Sequence, residues 1–156
     1  MASSVISTEL AAFLESGLSI VVATRDADLQ PDGAIAWAAR VRKDGKRLTV
    51  YLHEQAASEM LRNLEQHPGI ALAFDLPTSH RACQVKGNFV GVRPARATER
   101  KEVERQVDRF SNDLEHVGIP REMGAGWQPW PCVAFEIEVT QLFEQTPGRG
   151  TGGLLP

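Results

Sequence analysis

Asp44-Gly45 stands between two runs of apolar and β-branched residues, and that arrangement constrains the fold more than any other feature of the chain. Asp-Gly between strand-like runs favours the primed turns whose twist matches that of the flanking strands, so residues 34–41 and 48–52 read as an antiparallel hairpin. A similar signal precedes it: residues 18–24 form a compact β-branched run, and Gln30-Pro31-Asp32-Gly33 supplies the turn before residue 34.

Past the hairpin the period changes. Ala57, Met60, Leu61 and Leu64 fall at helical spacing, and His67-Pro68-Gly69 ends the pattern, which predicts a helix over 56–66. Alternation returns at Ile70, Leu72, Phe74 and Leu76, where a strand closes at Pro77. Residues 82–92 read as a long strand whose Gly87 and Gly91 mark bulges or close approach of another backbone.

Val103, Val107, Phe110, Leu114 and Val117 share one helical stripe, which predicts the longest helix over 99–117 with Thr98 as its N-cap and Gly118 past its end. Residues 124–131 are a Gly, Trp and Pro loop, and Val133, Phe135, Ile137 and Val139 alternate as a last strand. A short first helix over 8–16 starts at Ser7 as N-cap and stops at Gly17.

The count is about six strands and three helices, linked mostly by hairpin-like connections. That pattern predicts a mainly β fold, an antiparallel barrel with helices packed outside. A doubly wound parallel sheet needs a helix after nearly every strand, and neither GxGxxG nor GxxxxGK[ST] occurs.

With 156 residues the chain reads as one domain over 1–156, with a poorly ordered tail at 146–156. The net charge of −3 leaves no cation excess for phosphate backbones, so nucleic acid is disfavoured as a partner. The first seven residues carry no basic-then-apolar leader and no run is long enough to cross a bilayer, so a cytoplasmic location is expected. Cys83 and Cys132 are too few for a disulfide framework or a zinc site and read as buried thiols, with a redox pair as the alternative.

No GxSxG elbow or HExxH pair is present, and His53, His67, His80 and His116 lack metal-ligand spacing, so no metal is expected. No residue presents itself as a general acid or base. Trp127 and Trp130 have two readings, a stacking lid over a planar ligand or packing in the core or at an interface.

The order of strand, Asp44-Gly45 turn, strand, helix with Ser58, Asn63-Leu64, His67-Pro68, strand, and Gln84-Val85-Lys86-Gly87 resembles the pyridoxamine phosphate oxidase-like family of flavin proteins. The resemblance runs from the first helix to the last strand. It implies an FMN-binding split β-barrel, a homodimer with two equivalent sites at its interface, and FMN-dependent oxidoreductase activity. Arg40 and Arg42 fall where the family offers cations to the FMN phosphate, and guanidinium matches phosphate oxygens bidentately. The resemblance also points to His53 and Ser58 at the entry to the second helix, to Gln84 for the flavin ring, and to Lys86 beside it.

Each has a plain alternative: Arg40, Arg42 and Lys86 as solvated strand residues, Ser58 as a helix cap, and Gln84 as a cross-strand polar group. Two departures narrow the function. Glu59-Met60 stands where many members carry Arg-Lys, which replaces two phosphate cations with one anion and one apolar group and motivates a non-catalytic alternative. Pro147-Gly148-Arg149-Gly150-Thr151 stands where the oxidase carries Arg-x-His, so oxidation of pyridoxamine phosphate itself is not expected. A flavin, deazaflavin or haem carrier without turnover is the alternative from another class, and a ligand-free dimeric scaffold a third.

Overall fold

The structure, a computed structural model, describes residues 5–156. Seven strands form one antiparallel sheet: β1 (Ser19–Arg25), β2 (Pro31–Ala36), β3 (Ala38–Val41), β4 (Arg47–His53), β5 (Gly69–Leu76), β6 (Arg81–Pro94) and β7 (Cys132–Glu144). Their order across the sheet is β2-β1-β5-β6-β7-β4-β3. The two edge strands are consecutive in the chain and separated only by Trp37, so the sheet must curl until its edges lie side by side. The result is the half-barrel that the alternating pattern predicts.

One predicted strand, residues 34–41, is two. The apolar run is unbroken, but at Trp37 the chain leaves β1 and begins to pair with β4, where the Trp37 N–H donates to Tyr51 O at 2.8 Å. Periodicity reports which face is buried and carries no mark of a change of partner.

The barrel interior is filled from every strand. Ile20 and Val22 of β1, Leu48, Val50 and Leu52 of β4, Leu72 and Phe74 of β5, and Phe135 and Ile137 of β7 are fully enclosed. Each such side chain contributes about 1.5–3 kcal/mol through the area it removes from water. The long strands β6 and β7 hold the two halves together, with register shifts in their pairing at Lys86/Gly87 and Phe89/Gly91. At Gly87 a Cβ would lie 2.3 Å from Glu138 O, so the strand comes this close to its neighbour only because residue 87 has no side chain.

The helices sit outside. Ser7 caps α1 (Thr8–Leu14) through its Oγ, which accepts from the Leu10 N–H at 3.1 Å. Helix α2 (Glu54–Gln66) is tied to β1 where Asn63 Nδ2 donates to Thr24 Oγ1 at 3.1 Å, which gives the Asn63 of the sequence motif a structural task. The longest helix, α3 (Arg100–His116), crosses the outer face and is preceded by a 3₁₀ turn at Ala97–Glu99. Thr98 therefore lies inside that turn, and Glu99, not Thr98, stands at the α3 N-cap. A fourth, single-turn helix α4 (Arg121–Gly124) follows. Gly17 joins α1 to β1 at φ +90°, and a Cβ there would meet Gln106 O of α3 at 2.6 Å.

The tail expected to lack order folds back on β7. Gly152 N–H donates to Glu144 O at 2.7 Å, Leu155 N–H to Leu142 O at 2.8 Å, and Leu155 packs on the core.

Candidate functional site

Three cross-strand rows on the outer face place the site. Ala38, Tyr51 and Ala134 are opposite one another across β3, β4 and β7, with Arg93 of β6 next in the row. One pair further along β3 and β4, Arg40 faces Thr49 and Thr49 faces Glu136. One pair further again, Arg42 N–H donates to Arg47 O at 2.9 Å where the hairpin turns. Strand alternation sends Arg40, Arg42 and Arg47 to the same face.

These rows floor a cleft of about 340 Å3, walled on one side by the corner that carries Arg96 and Glu99. Six cations line it, Arg40, Arg42, Lys43, Arg47, Arg93 and Arg96, against the two carboxylates of Glu99 and Glu136. In a chain of net charge −3 this is a strongly segregated positive surface.

Both carboxylates serve the same arginine. Glu99, only 7% exposed, accepts from Arg93 through both oxygens at 2.7 and 2.8 Å, from the Tyr51 hydroxyl at 2.9 Å, and from the Arg96 N–H at 2.7 Å. Glu136 lies 3.6 Å from Arg93 Nε. The Arg93 hydrogen bonds hold the Glu99 carboxyl down at about 2, while burial and then the hydrogen bond to Glu99 push the Tyr51 phenol up to about 12. The rigid triad Tyr51–Glu99–Arg93 is the structural base of the cleft. Arg42 pairs with Asp44 at 2.8 Å on the surface. Arg40, Lys43 and Arg47 form no ion pair within 4.0 Å among the described residues, but Glu138 faces Arg47 across β4 and β7 and Arg40 lies near enough to Glu102 to help lower its carboxyl.

The structure thus brings Arg40 and Arg42 together in one anion-friendly cleft. It places the other expected residues elsewhere in the protomer. His53 ends β4 and caps α2, its Nδ1 accepting from the Gln55 N–H at 3.3 Å. Ser58 was expected at the helix entrance, but α2 starts at Glu54, so Ser58 sits in the second turn, exposed, with its hydroxyl donating to Gln55 O at 2.8 Å. Met60 is a core residue and Glu59 is exposed.

Gln84 and Lys86 face outward on β6, opposite Phe143 and Gln141. Gln141 lies five residues along β7 from Glu136, the residue level with Arg40, which is roughly 17 Å at strand rise. Lys86 Nζ stands 5.1 Å from the Phe143 ring. One protomer therefore does not gather all six residues around one ligand.

Trp127 stacks on Phe110 at 5.7 Å and 16° and meets Trp37 at 5.7 Å, and Trp130 lies under the Arg100 guanidinium at 5.5 Å. Both fasten the loop after α4 to α3 and the barrel corner, the packing alternative for these residues. Cys83 and Cys132 are buried, free thiols pushed up by burial to about 11 and about 12. They sit at opposite ends of β7, opposite Glu144 and within the strand start respectively, so the two cannot form a disulfide. No group of His, Cys, Asp and Glu able to hold a metal ion occurs among the described residues, and no helix among them is long and apolar enough to cross a membrane.

Sequence reasoning missed Tyr51, Arg93, Arg96 and Glu99. Arg47 was legible in principle, because Arg47, Thr49 and Tyr51 alternate opposite Arg42, Arg40 and Ala38.

A mainly β half-barrel with outer helices and a cationic cleft on the β3–β4 hairpin defines a split-barrel protein of the flavin-binding type. The family model of pyridoxamine 5′-phosphate oxidase matches residues 6–141, and the chain belongs to that family. Among solved structures it is similar to HupZ of Group A Streptococcus, with a TM-score of 0.55 and 19% identity over 94% of this chain and 99% of that one. It is also similar to an FMN-binding protein of Syntrophomonas wolfei, with a TM-score of 0.51 and 13% identity over 89% and 85% of the two chains. A pyridoxamine 5′-phosphate oxidase-related, FMN-binding protein of Nostoc punctiforme shares 12% identity over 96% and 89% of the chains, with a TM-score of 0.50. At these identities the likeness is one of fold. A search of the curated proteins finds no match.

Proposed function

We propose that the chain is an FMN-dependent oxidoreductase, distinct from pyridoxamine phosphate oxidase itself, that works as a cytoplasmic homodimer. The observation that carries this reading is the cleft in which Arg40 and Arg42 share one face, with Arg40 exposed and in no ion pair within 4.0 Å among the described residues. That donor set fits a phosphomonoester, which takes bidentate guanidinium contacts well. FMN bound there supplies hydride or electron transfer at its isoalloxazine ring. Arg40 and Arg42 hold its phosphate, and the Tyr51–Glu99–Arg93 triad keeps the cleft wall in place.

In this reading the second copy completes the site. Ile35, Val21, Ala73 and Gln84 lie in one row across β2, β1, β5 and β6, with Ile35 59% and Val21 45% exposed. A copy seated on that apolar row buries it and carries its own Gln84 and Lys86 towards the ligand of the other.

The carrier reading draws on Glu59 and Met60. With Met60 in the core and Glu59 exposed, α2 supplies no second pair of phosphate cations. The test is an absorption spectrum of the purified protein followed by titration with FMN under flavin fluorescence. Saturable quenching supports the flavin reading, and reduction of the bound flavin by a nicotinamide nucleotide supports turnover. A haem-type band, or bound flavin that no reductant reaches, supports the carrier. No chromophore and no quenching sinks both.

A further inference from the structure

A second cavity lies between α3 and the segment that carries α4. Its volume of about 770 Å3 is more than twice that of the cationic cleft, and it falls within the roughly 300–1,000 Å3 of small-molecule sites. The wall is aromatic and held in place. Trp127 is fixed between Phe110 and Trp37, and the Trp130 ring carries the Arg100 guanidinium at 5.5 Å. On the other side the Arg121 guanidinium donates to Asp108 and Asn112, which ties α4 to α3. A cavity whose walls are already ordered asks little further ordering of the protein when a ligand enters.

Charge restricts what can enter. Two arginines line the cavity and both are engaged by carboxylates: Arg100 Nε donates to Glu104 at 2.7 Å, and Arg121 pairs with Asp108. The third lining carboxylate, Glu122, is exposed and forms no ion pair within 4.0 Å among the described residues. The side chains of Ser111 and Gln128, also in the lining, hold no hydrogen bond among those residues. Lys101, three positions before Glu104, and Glu115, four after Ser111, flank the lining row of α3 and offset one another. An anion entering the cavity meets no free cation. A cation meets Glu122 and two indoles, and one of those indoles already has a guanidinium over its ring.

We propose that this cavity is a second binding site, one that takes a flat ring bearing a protonated amine. The ring packs beside Trp127 and Trp130, the ammonium pairs with Glu122, and the Ser111 hydroxyl and the Gln128 amide oxygen accept from its remaining N–H groups. The site is opposite in kind to the cleft on β3 and β4 and shares no lining residue with it. It does not depend on the flavin reading.

The deciding experiment is calorimetric titration of the flavin-free full chain, at neutral pH and fixed ionic strength, with three compounds of one shape: 2-naphthylmethylamine, 2-naphthalenemethanol and 2-naphthoate. The titrations are repeated on Glu122→Gln and Trp130→Leu, with circular dichroism of each variant alongside. The amine binds at least roughly tenfold more tightly than the carboxylate, with the alcohol between them. Glu122→Gln weakens the amine by about two- to fivefold, the range of an exposed ion pair, and leaves the alcohol unchanged. Trp130→Leu weakens amine and alcohol together. Should Trp130→Leu fail to fold, Glu122→Gln decides alone, because its side chain is exposed and unpaired. Binding of the carboxylate or the alcohol as tight as that of the amine overturns the proposal. So does an amine affinity that Glu122→Gln leaves unchanged.

Discussion

The side-chain amide of Gln106 clasps the backbone of Ala39 at both ends, its Oε1 accepting from the Ala39 N–H at 3.0 Å and its Nε2 donating to Ala39 O at 2.9 Å. Ala39 belongs to β3, an edge strand with no neighbour on that side, and Gln106, only 1% exposed, takes the place of a strand there. Gln106→Ala leaves two buried backbone groups without partners, which costs about 1–3 kcal/mol for each group. We expect a loss on the order of 3 kcal/mol in urea unfolding. Because Arg40 follows Ala39, anion affinity should fall as well; a variant with wild-type stability would show that water replaces the amide.

The pairing of Glu99 with Arg93 sets an acid limit. Its carboxyl sits at about 2 in the fold because Arg93 donates to both oxygens, whereas an unfolded glutamate titrates near about 4.3. A depressed value contributes stability that is complete above the unfolded pKa and is lost as pH falls through the folded one. Stability should therefore decline between about pH 4.5 and 2 by on the order of 3 kcal/mol from this group. In Glu99→Gln the protein is weaker at neutral pH and that decline is flattened. An unchanged slope in denaturant titrations across this range would show that Glu99 is not the group responsible.

Tyr51 titrates at the other end of the range. Burial first, and the Glu99 hydrogen bond second, push its phenol up to about 12, above the ordinary value of about 10. A raised acid favours its neutral form in the fold, so its contribution is complete below pH 10 and is lost as pH rises towards 12. Alkaline ultraviolet titration should show the one tyrosine of the chain ionising only with unfolding. A transition near pH 10 in the folded protein would contradict the enclosed triad.

How far the fold could be read ahead depended on whether a signal was local. Val133, Phe135, Ile137 and Val139 alternate, and β7 contains them, but it runs on to Glu144 where alternation weakens and only pairing with β6 holds the chain extended. Ser7, Gly45 and Gly118 acted where their chemistry predicts, at a cap and at two positive-φ positions. The break at Trp37 was invisible because both strands it joins are apolar. In the cleft, Arg40 and Arg42 were singled out by the family resemblance, which needs only their place in the stretch before the hairpin turn. Arg93, Arg96 and Glu99 lie over fifty residues further along the chain, and only the closure of the sheet brings them to the same cleft. Ser58 misled because a helix start inferred from apolar spacing missed the polar first turn at Glu54-Gln55.

Arg40→Ala tests the anion site most directly. The guanidinium is exposed on the cleft floor and forms no ion pair within 4.0 Å among the described residues, so removing it should leave the fold intact. FMN binding should weaken by about 1.5–3 kcal/mol, the range of a hydrogen bond to a charged group. Fluorescence titration of wild type and variant gives the comparison, and equal dissociation constants would remove Arg40 from the site.

Ile35→Lys separates the dimer from the barrel. Ile35 pairs with Val21 at the edge of the sheet and both are about half exposed, so a lysine there meets solvent in the monomer and costs the fold little. On a self-complementary interface about a two-fold axis the same substitution enters twice, and each ammonium must be desolvated against apolar neighbours. Sedimentation should then show wild type as a dimer and the variant as a monomer with an unchanged circular dichroism spectrum. The row from Ile35 runs through Gln84, so FMN affinity should drop together with dimerisation, although Gln84 itself is untouched. A variant that becomes monomeric yet binds FMN as wild type does would place the whole flavin site within one protomer, on the β3–β4 cleft alone.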